Sequence, residues 1–112
     1  QIAKSLIFRA RPSDRAVLVI ATGANRVDEK AVAAVIGEAL ARPDARFVRD
    51  VTGYAIGGIP PFGHKERIAT YIDRDLLQHA EVFAAAGTPE CIFSAPPQAL
   101  ADAAGAVGID VA

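Results

Sequence analysis

Apolar and polar positions alternate along residues 2–8, with Ile2, Lys4, Leu6 and Phe8 on one face and Ala3, Ser5 and Ile7 on the other. That period of two predicts a strand. Arg11-Pro12-Ser13-Asp14 is turn chemistry, and the run AVLVIAT at 16–22, apolar up to its closing threonine, reads as a fully buried strand. Together they predict a hairpin. Behind Asp28, a helix-capping residue, Val32, Val35, Ile36, Ala39 and Leu40 recur at helical spacing, predicting a helix over 29–41 that Pro43 ends. A short helix over 43–50 comes next, with Pro43 in its first turn and Gly53 just past its end.

The next stretch, from Thr52 to Gly63, reads as a loop with strand character at its start. Residues 68–72 predict a strand, and 73–78 one or two helical turns capped by Asp73. Segments 81–86 and 91–94 read as a second hairpin joined by Gly87-Thr88-Pro89-Glu90. Pro96 opens a last helix through Ala104, before a glycine-spaced tail. Strands and helices mix without regular alternation, and two hairpins favour antiparallel or mixed pairing. The class is α+β, with a mixed, mostly antiparallel sheet that can curl into a barrel.

Composition narrows the setting. The 112 residues make one domain, and 52% apolar content with 22% charged is enough for a packed core. No stretch approaches the roughly 20 apolar residues of a membrane span, so no membrane partner is expected. The single cysteine, Cys91, rules out an intrachain disulfide and a cysteine-only metal cage, and no secretory signal opens the chain. A reducing cytoplasm is the expected location. The chain starts at Gln1 directly on an alternating run, which reads as a domain entered partway, its preceding segment missing.

Twelve basic and thirteen acidic residues leave a net charge of -1, without the basic footprint of sequence-specific DNA binding. Lys4, Arg9, Arg11 and Arg15 do crowd the first fifteen residues, either as a solvated face or as a patch that steers phosphates.

Two features could carry chemistry. Lys4 shares a face with apolar residues, where an ammonium is costly unless paired or at a wet pocket. It is either an edge lysine whose head reaches water or an anion-binding lysine. The second is the loop at 57–63. Adjacent Gly57 and Gly58 let backbone N–H groups approach a ligand, and Pro60-Pro61 stiffens the rest of the loop. Such a loop is either a tight structural turn or a set of amides aimed at an oxygen. It lacks the lysine-plus-hydroxyl ending of a phosphate-cradling P-loop. His64 and His79 have no second ligand at metal spacing, so no metal is expected. Cys91 reads as a small buried residue, and no serine-nucleophile elbow is present.

Several separated segments, in order, resemble one family. They are Gln1-Ile2-Ala3-Lys4-Ser5-Leu6-Ile7-Phe8, Asn25-Arg26-Val27-Asp28, and Thr52-Gly53-Tyr54-Ala55-Ile56-Gly57-Gly58-Ile59-Pro60-Pro61-Phe62-Gly63. Thr70-Tyr71-Ile72-Asp73 with Leu76-Leu77, then residues 82–87, continue the match. The family is the YbaK/prolyl-tRNA-synthetase-associated, ProX-like domain of aminoacyl-tRNA deacylases. The resemblance implies a barrel-like mixed sheet flanked by helices and hydrolysis, in trans, of the ester joining a small, wrongly attached amino acid to the 3′ end of a tRNA.

By that resemblance the backbone of Gly57, Gly58, Ile59 and Pro61 would hold the aminoacyl carbonyl and place a water. Lys4 would meet phosphate or ribose oxygens at the tRNA 3′ end. Thr22, Thr52, Tyr54, Pro60 and His64 become candidate substrate contacts. No cofactor is implied, no side chain serves as nucleophile, and a ribose hydroxyl of the tRNA helps to activate the water. A synthetase is a second implied partner. Pro60 stands where many relatives carry a small polar residue, and Ala84-Ala85-Ala86 replaces the serine and glycine of the cysteine-specific branch. Alanine, serine or threonine is therefore the expected substrate class. The competing reading is a non-catalytic module of the same fold that binds aminoacyl-tRNA or a synthetase; a generic DNA-binding role is disfavoured by charge.

Overall fold

The computed structural model describes residues 2–11, 13–22, 27–54, 68–87 and 92–109. The first hairpin forms as its alternation requires. Strand β1 (Ala3–Arg11) and strand β2 (Ala16–Thr22) pair antiparallel, from Ala3 opposite Thr22 to Arg9 opposite Ala16. The Ala10 N–H donates to Arg15 O at 2.8 Å, and Asp14 takes a left-handed φ of 61° to close the turn.

Helix α1 (Glu29–Ile36) starts where Asp28 accepts the N–H groups of Lys30 and Ala31 at 3.0 and 3.3 Å. It ends well short of residue 41. Gly37 adopts a φ of 85°, open to glycine at no steric cost, and its N–H closes on Ala33 O. Residues 39–41 then form strand β3 (Ala39–Ala41), with Leu40 opposite Ala10 of β1. Leu40 fits a helical repeat and an alternating strand equally well, and Gly37 decides between them.

Helix α2 (Ala45–Thr52) is capped by Asp44, whose carboxylate accepts the Phe47 N–H at 2.8 Å, so Pro43 precedes the cap and does not sit in the first turn. Gly53 ends it in the left-handed region, as expected. Thr52 is the last helical residue, where strand character was anticipated.

Strand β4 (Ala69–Asp73) lies parallel to β2, with Ile72 beside Ile20. Asp73 ends that strand, and its carboxylate accepts the Asp75 N–H at 2.9 Å ahead of a single 3₁₀ turn, Leu76–Gln78. Strands β5 (Val82–Ala85) and β6 (Ile92–Ala95) form the expected second hairpin. Helix α3 (Pro97–Ala104) starts just behind Pro96. The tail contains strand β7 (Val107–Ile109), parallel to β4, which the glycine spacing concealed.

The main sheet runs β3-β1-β2-β4-β7, and β5-β6 forms a second, tied to it by a parallel bridge between Ile2 and Phe83. Pairing is thus mixed, antiparallel at β1–β2, β1–β3 and β5–β6 and parallel at β2–β4 and β4–β7. The class is α+β, as the sequence predicts. Each face of the main sheet buries its own core. Leu18, Ile20 and Ile72 pack with Val48 of α2, Leu100 of α3 and Val82 of β5 on one side. Phe8, Val17 and Val19 pack with Val32 of α1 on the other. This double covering is why β2 is apolar from Ala16 to Ala21.

Candidate functional site

Strands β2, β4 and β7 are parallel, so their carboxyl ends gather at one edge of the sheet, beside the start of antiparallel β1. Loops leaving such an edge are where open sheets hold ligands. Register places Lys4, Ala21, Asp73 and Ile109 in one row across this edge, since Lys4 pairs with Ala21 and Asp73 with Ile109 while Ile20 pairs with Ile72.

Lys4 is exposed at the end of that row. Its neighbours Leu6 and Phe8, further along the same face, are covered by the core that α1 completes, whereas Ile2 and Lys4 lie beyond it. The lysine is therefore a solvated cation on a rigid strand, and no burial cost attends it. The other early cations are engaged elsewhere. The Arg9 guanidinium lies 4.1 Å from the Phe47 ring centroid, Arg11 pairs with Asp14 at 2.9 Å, and Arg15 pairs with Glu38 at 2.9 Å. The basic cluster of the sequence is thus dispersed, and among the described residues Lys4 has no carboxylate partner.

Asp73 does more than the capping that sequence reasoning assigned to it. It is only 1% exposed. Its carboxylate accepts the Thr22 backbone N–H at 3.4 Å and the Asp75 N–H at 2.9 Å. A charged acceptor in the interior is tolerated because N–H donors replace its water. It ties the end of β2 to the end of β4. The available signal was an aspartate closing an apolar strand.

Thr22 is buried and pairs opposite Ala3, so its side chain leaves the sheet on the face opposite to that of Lys4. Thr52 is fully buried. Its hydroxyl lies 2.7 Å from Val48 O and 3.2 Å from Tyr54 O, both within donating range, and accepts the Tyr54 N–H at 3.0 Å. Thr52 is fixed to backbone at the end of α2, and Tyr54 is held in turn. The Tyr54 ring also packs against Gly87, where a Cβ would meet Cε1 at 3.4 Å and φ is 108°. Gly87 therefore joins the set as a close-approach glycine that the sequence reading treated only as turn material. Gly57, Gly58, Ile59, Pro60, Pro61 and His64, like Cys91, lie outside the described residues. Among the described residues no group of histidine, cysteine and carboxylate side chains is arranged to hold a metal ion.

What this edge offers chemically is an exposed ammonium on a sheet whose strand ends are pinned by hydrogen bonds, a geometry suited to an anionic ligand. A family model described as the aminoacyl-tRNA editing domain matches residues 1–103. YwhH of Bacillus subtilis strain 168, an uncharacterised protein, is 32% identical over 102 residues, which is 91% of this chain and 64% of YwhH. The crystal structure of a proposed trans-editing enzyme for prolyl tRNA synthetase superposes with a TM-score of 0.93 at 40% identity, over 98% of this chain and 69% of that one. A scaffold structure from computational epitope grafting reaches a TM-score of 0.94 at 40% identity, covering 99% of this chain and 70% of its own. The chain thus spans under two thirds of the length of YwhH.

Proposed function

Because the chain belongs to the aminoacyl-tRNA editing domain family, we propose that it acts as a trans-acting aminoacyl-tRNA deacylase for a small, wrongly attached amino acid of the alanine, serine or threonine class. The observation that carries this reading is the solvated Lys4 at the carboxyl-end edge of a sheet whose family match runs through 1–103. An ammonium there suits phosphate or ribose oxygens at the 3′ end of a tRNA. Backbone N–H groups of Gly57, Gly58 and Ile59 hold the aminoacyl carbonyl in this scheme, with Pro60 and Pro61 stiffening the segment. Water attacks the carbonyl carbon, the ester C–O bond breaks, and the amino acid leaves from a regenerated ribose hydroxyl. The work falls to positioned amides and a cation, with no covalent enzyme intermediate.

The test uses the full-length protein and a panel of tRNAs mischarged with alanine, serine and threonine. Release of the amino acid, lost in Lys4→Ala, supports the proposal. A folded protein inert towards every mischarged tRNA, yet binding a nonhydrolysable aminoacyl-adenosine, would replace it with a binding module of the same fold. The cytoplasmic location and delivery of substrate by a synthetase belong to the same proposal.

A further inference from the structure

The β5–β6 hairpin is apolar on both sides. Val82 and Ala84 are buried, as one face of a packed hairpin should be. The alternate residues face outward, and among them Phe83 and Ile92 keep 41% and 64% of their surface. Phe83 stands opposite Ser94 and Ala85 opposite Ile92, so these four share the outer face. The parallel bridge from Phe83 to Ile2 extends that face onto β1, where Ile2 is 60% exposed and Lys4 lies two residues on. An aromatic ring, two isoleucines, a serine hydroxyl and a solvated ammonium therefore form one continuous ledge beside the site. Single exposed apolar residues need no explanation, but a contiguous set implies a partner.

We propose that this ledge receives unpaired nucleotides of an RNA, with a base stacked on Phe83 and its phosphate met by Lys4. The inference rests on the tRNA reading above and names the surface that holds the single-stranded end. Aromatic faces flanked by cations are how proteins bind unpaired nucleotides regardless of sequence. Register supports the pairing of roles. Lys4 and Ile2 are separated by about 7 Å along the strand, and Phe83 lies about 5 Å across. A lysine stem can therefore reach a phosphate next to a base lying on the ring. A second copy of the chain is a poorer occupant. A standard interface takes about 800 Å² per partner, whereas even a whole aromatic side chain supplies about 150–250 Å².

The 112 residues contain no tryptophan, so Phe83→Trp is a unique reporter in this chain. The probe is an uncharged RNA hairpin ending in four unpaired 3′ nucleotides, compared with the same hairpin made blunt. Quenching by the tailed RNA alone is expected, with Val107→Trp, on the distant edge strand, left unquenched. Phe83→Ala should weaken the tailed RNA about tenfold and Phe83→Tyr little. Equal response to both RNAs, or unchanged affinity in Phe83→Ala and in Ile92→Ser, overturns the proposal. So does tryptophan emission already blue-shifted without RNA, which would mean the full chain covers the ledge itself, or a dimer that Ile92→Ser dissociates. Hydrolysis of mischarged tRNA without quenching removes the ledge and keeps the deacylase. Quenching without hydrolysis does the reverse.

Discussion

The Asp73 carboxylate accepts the backbone N–H of Thr22 at 3.4 Å, bridging 51 residues of sequence between the ends of two parallel strands. With the Asp75 N–H on its other oxygen, this buried acid is a structural tie at the edge where Lys4 stands. Asp73→Ala should cost about 2–3 kcal/mol, because it leaves the buried Thr22 N–H and the part-buried Asp75 N–H without their acceptor. Asp73→Asn should lose less, since one oxygen remains. Denaturant unfolding of the two variants measures the difference, and equal stability to wild type would show that the tie is idle.

Lys4→Ala should leave the unfolding midpoint within about 0.5 kcal/mol of wild type, because the side chain is solvated and touches no core. Its deacylation rate should fall by roughly tens of fold if the ammonium meets the tRNA end. Lys4→Arg should recover most of the rate by keeping the charge. A stability loss as large as the activity loss would make Lys4 a packing residue.

Glu38 fastens the loop after α1 onto the first hairpin. The Ser13 backbone N–H, the Ser13 hydroxyl and the Arg15 guanidinium hold its carboxyl below the usual carboxylate value of 4.5. The folded form thus binds its proton less readily than the unfolded chain. The contribution is complete above the unfolded value and disappears as pH falls through the lower folded one. Thermal melts of wild type and Glu38→Gln should therefore differ at neutral pH and converge in acid. A gap that stays constant with pH contradicts the assignment.

Gly87→Ala should destabilise by about 1–2 kcal/mol, since φ is 108° and the new Cβ presses on the Tyr54 ring. Pairing it with Tyr54→Leu should return only the packing share of that loss. Full recovery would mean that backbone conformation contributes nothing at this position.

Both hairpins were legible because alternation and turn residues are local signals, and Asp28 and Gly53 announced their caps for the same reason. The helix over 29–41 ran too far because Leu40 satisfies both periods, and only the φ of Gly37 separates them. Strand β7 was hidden for a different reason. Val107-Gly108-Ile109 is too short to show a pattern, and its parallel partner β4 lies far back in the chain. At the site, Lys4 stood out as a charge in an apolar alternation. Asp73 and Gly87 did not, because a buried carboxylate is defined by the distant amides it accepts and a close-approach glycine by the ring it meets. The loop at 57–61 rests on the family resemblance.

The mixed pairing also sets an order of assembly. The β1–β2 hairpin closes over a short turn and can form early, while β2 can meet β4 only after the chain has closed a long intervening stretch, and β7 must then dock on β4. The edge that carries Lys4 is therefore completed last. A newly made chain would possess its hairpin before it possesses a place to hold an anion.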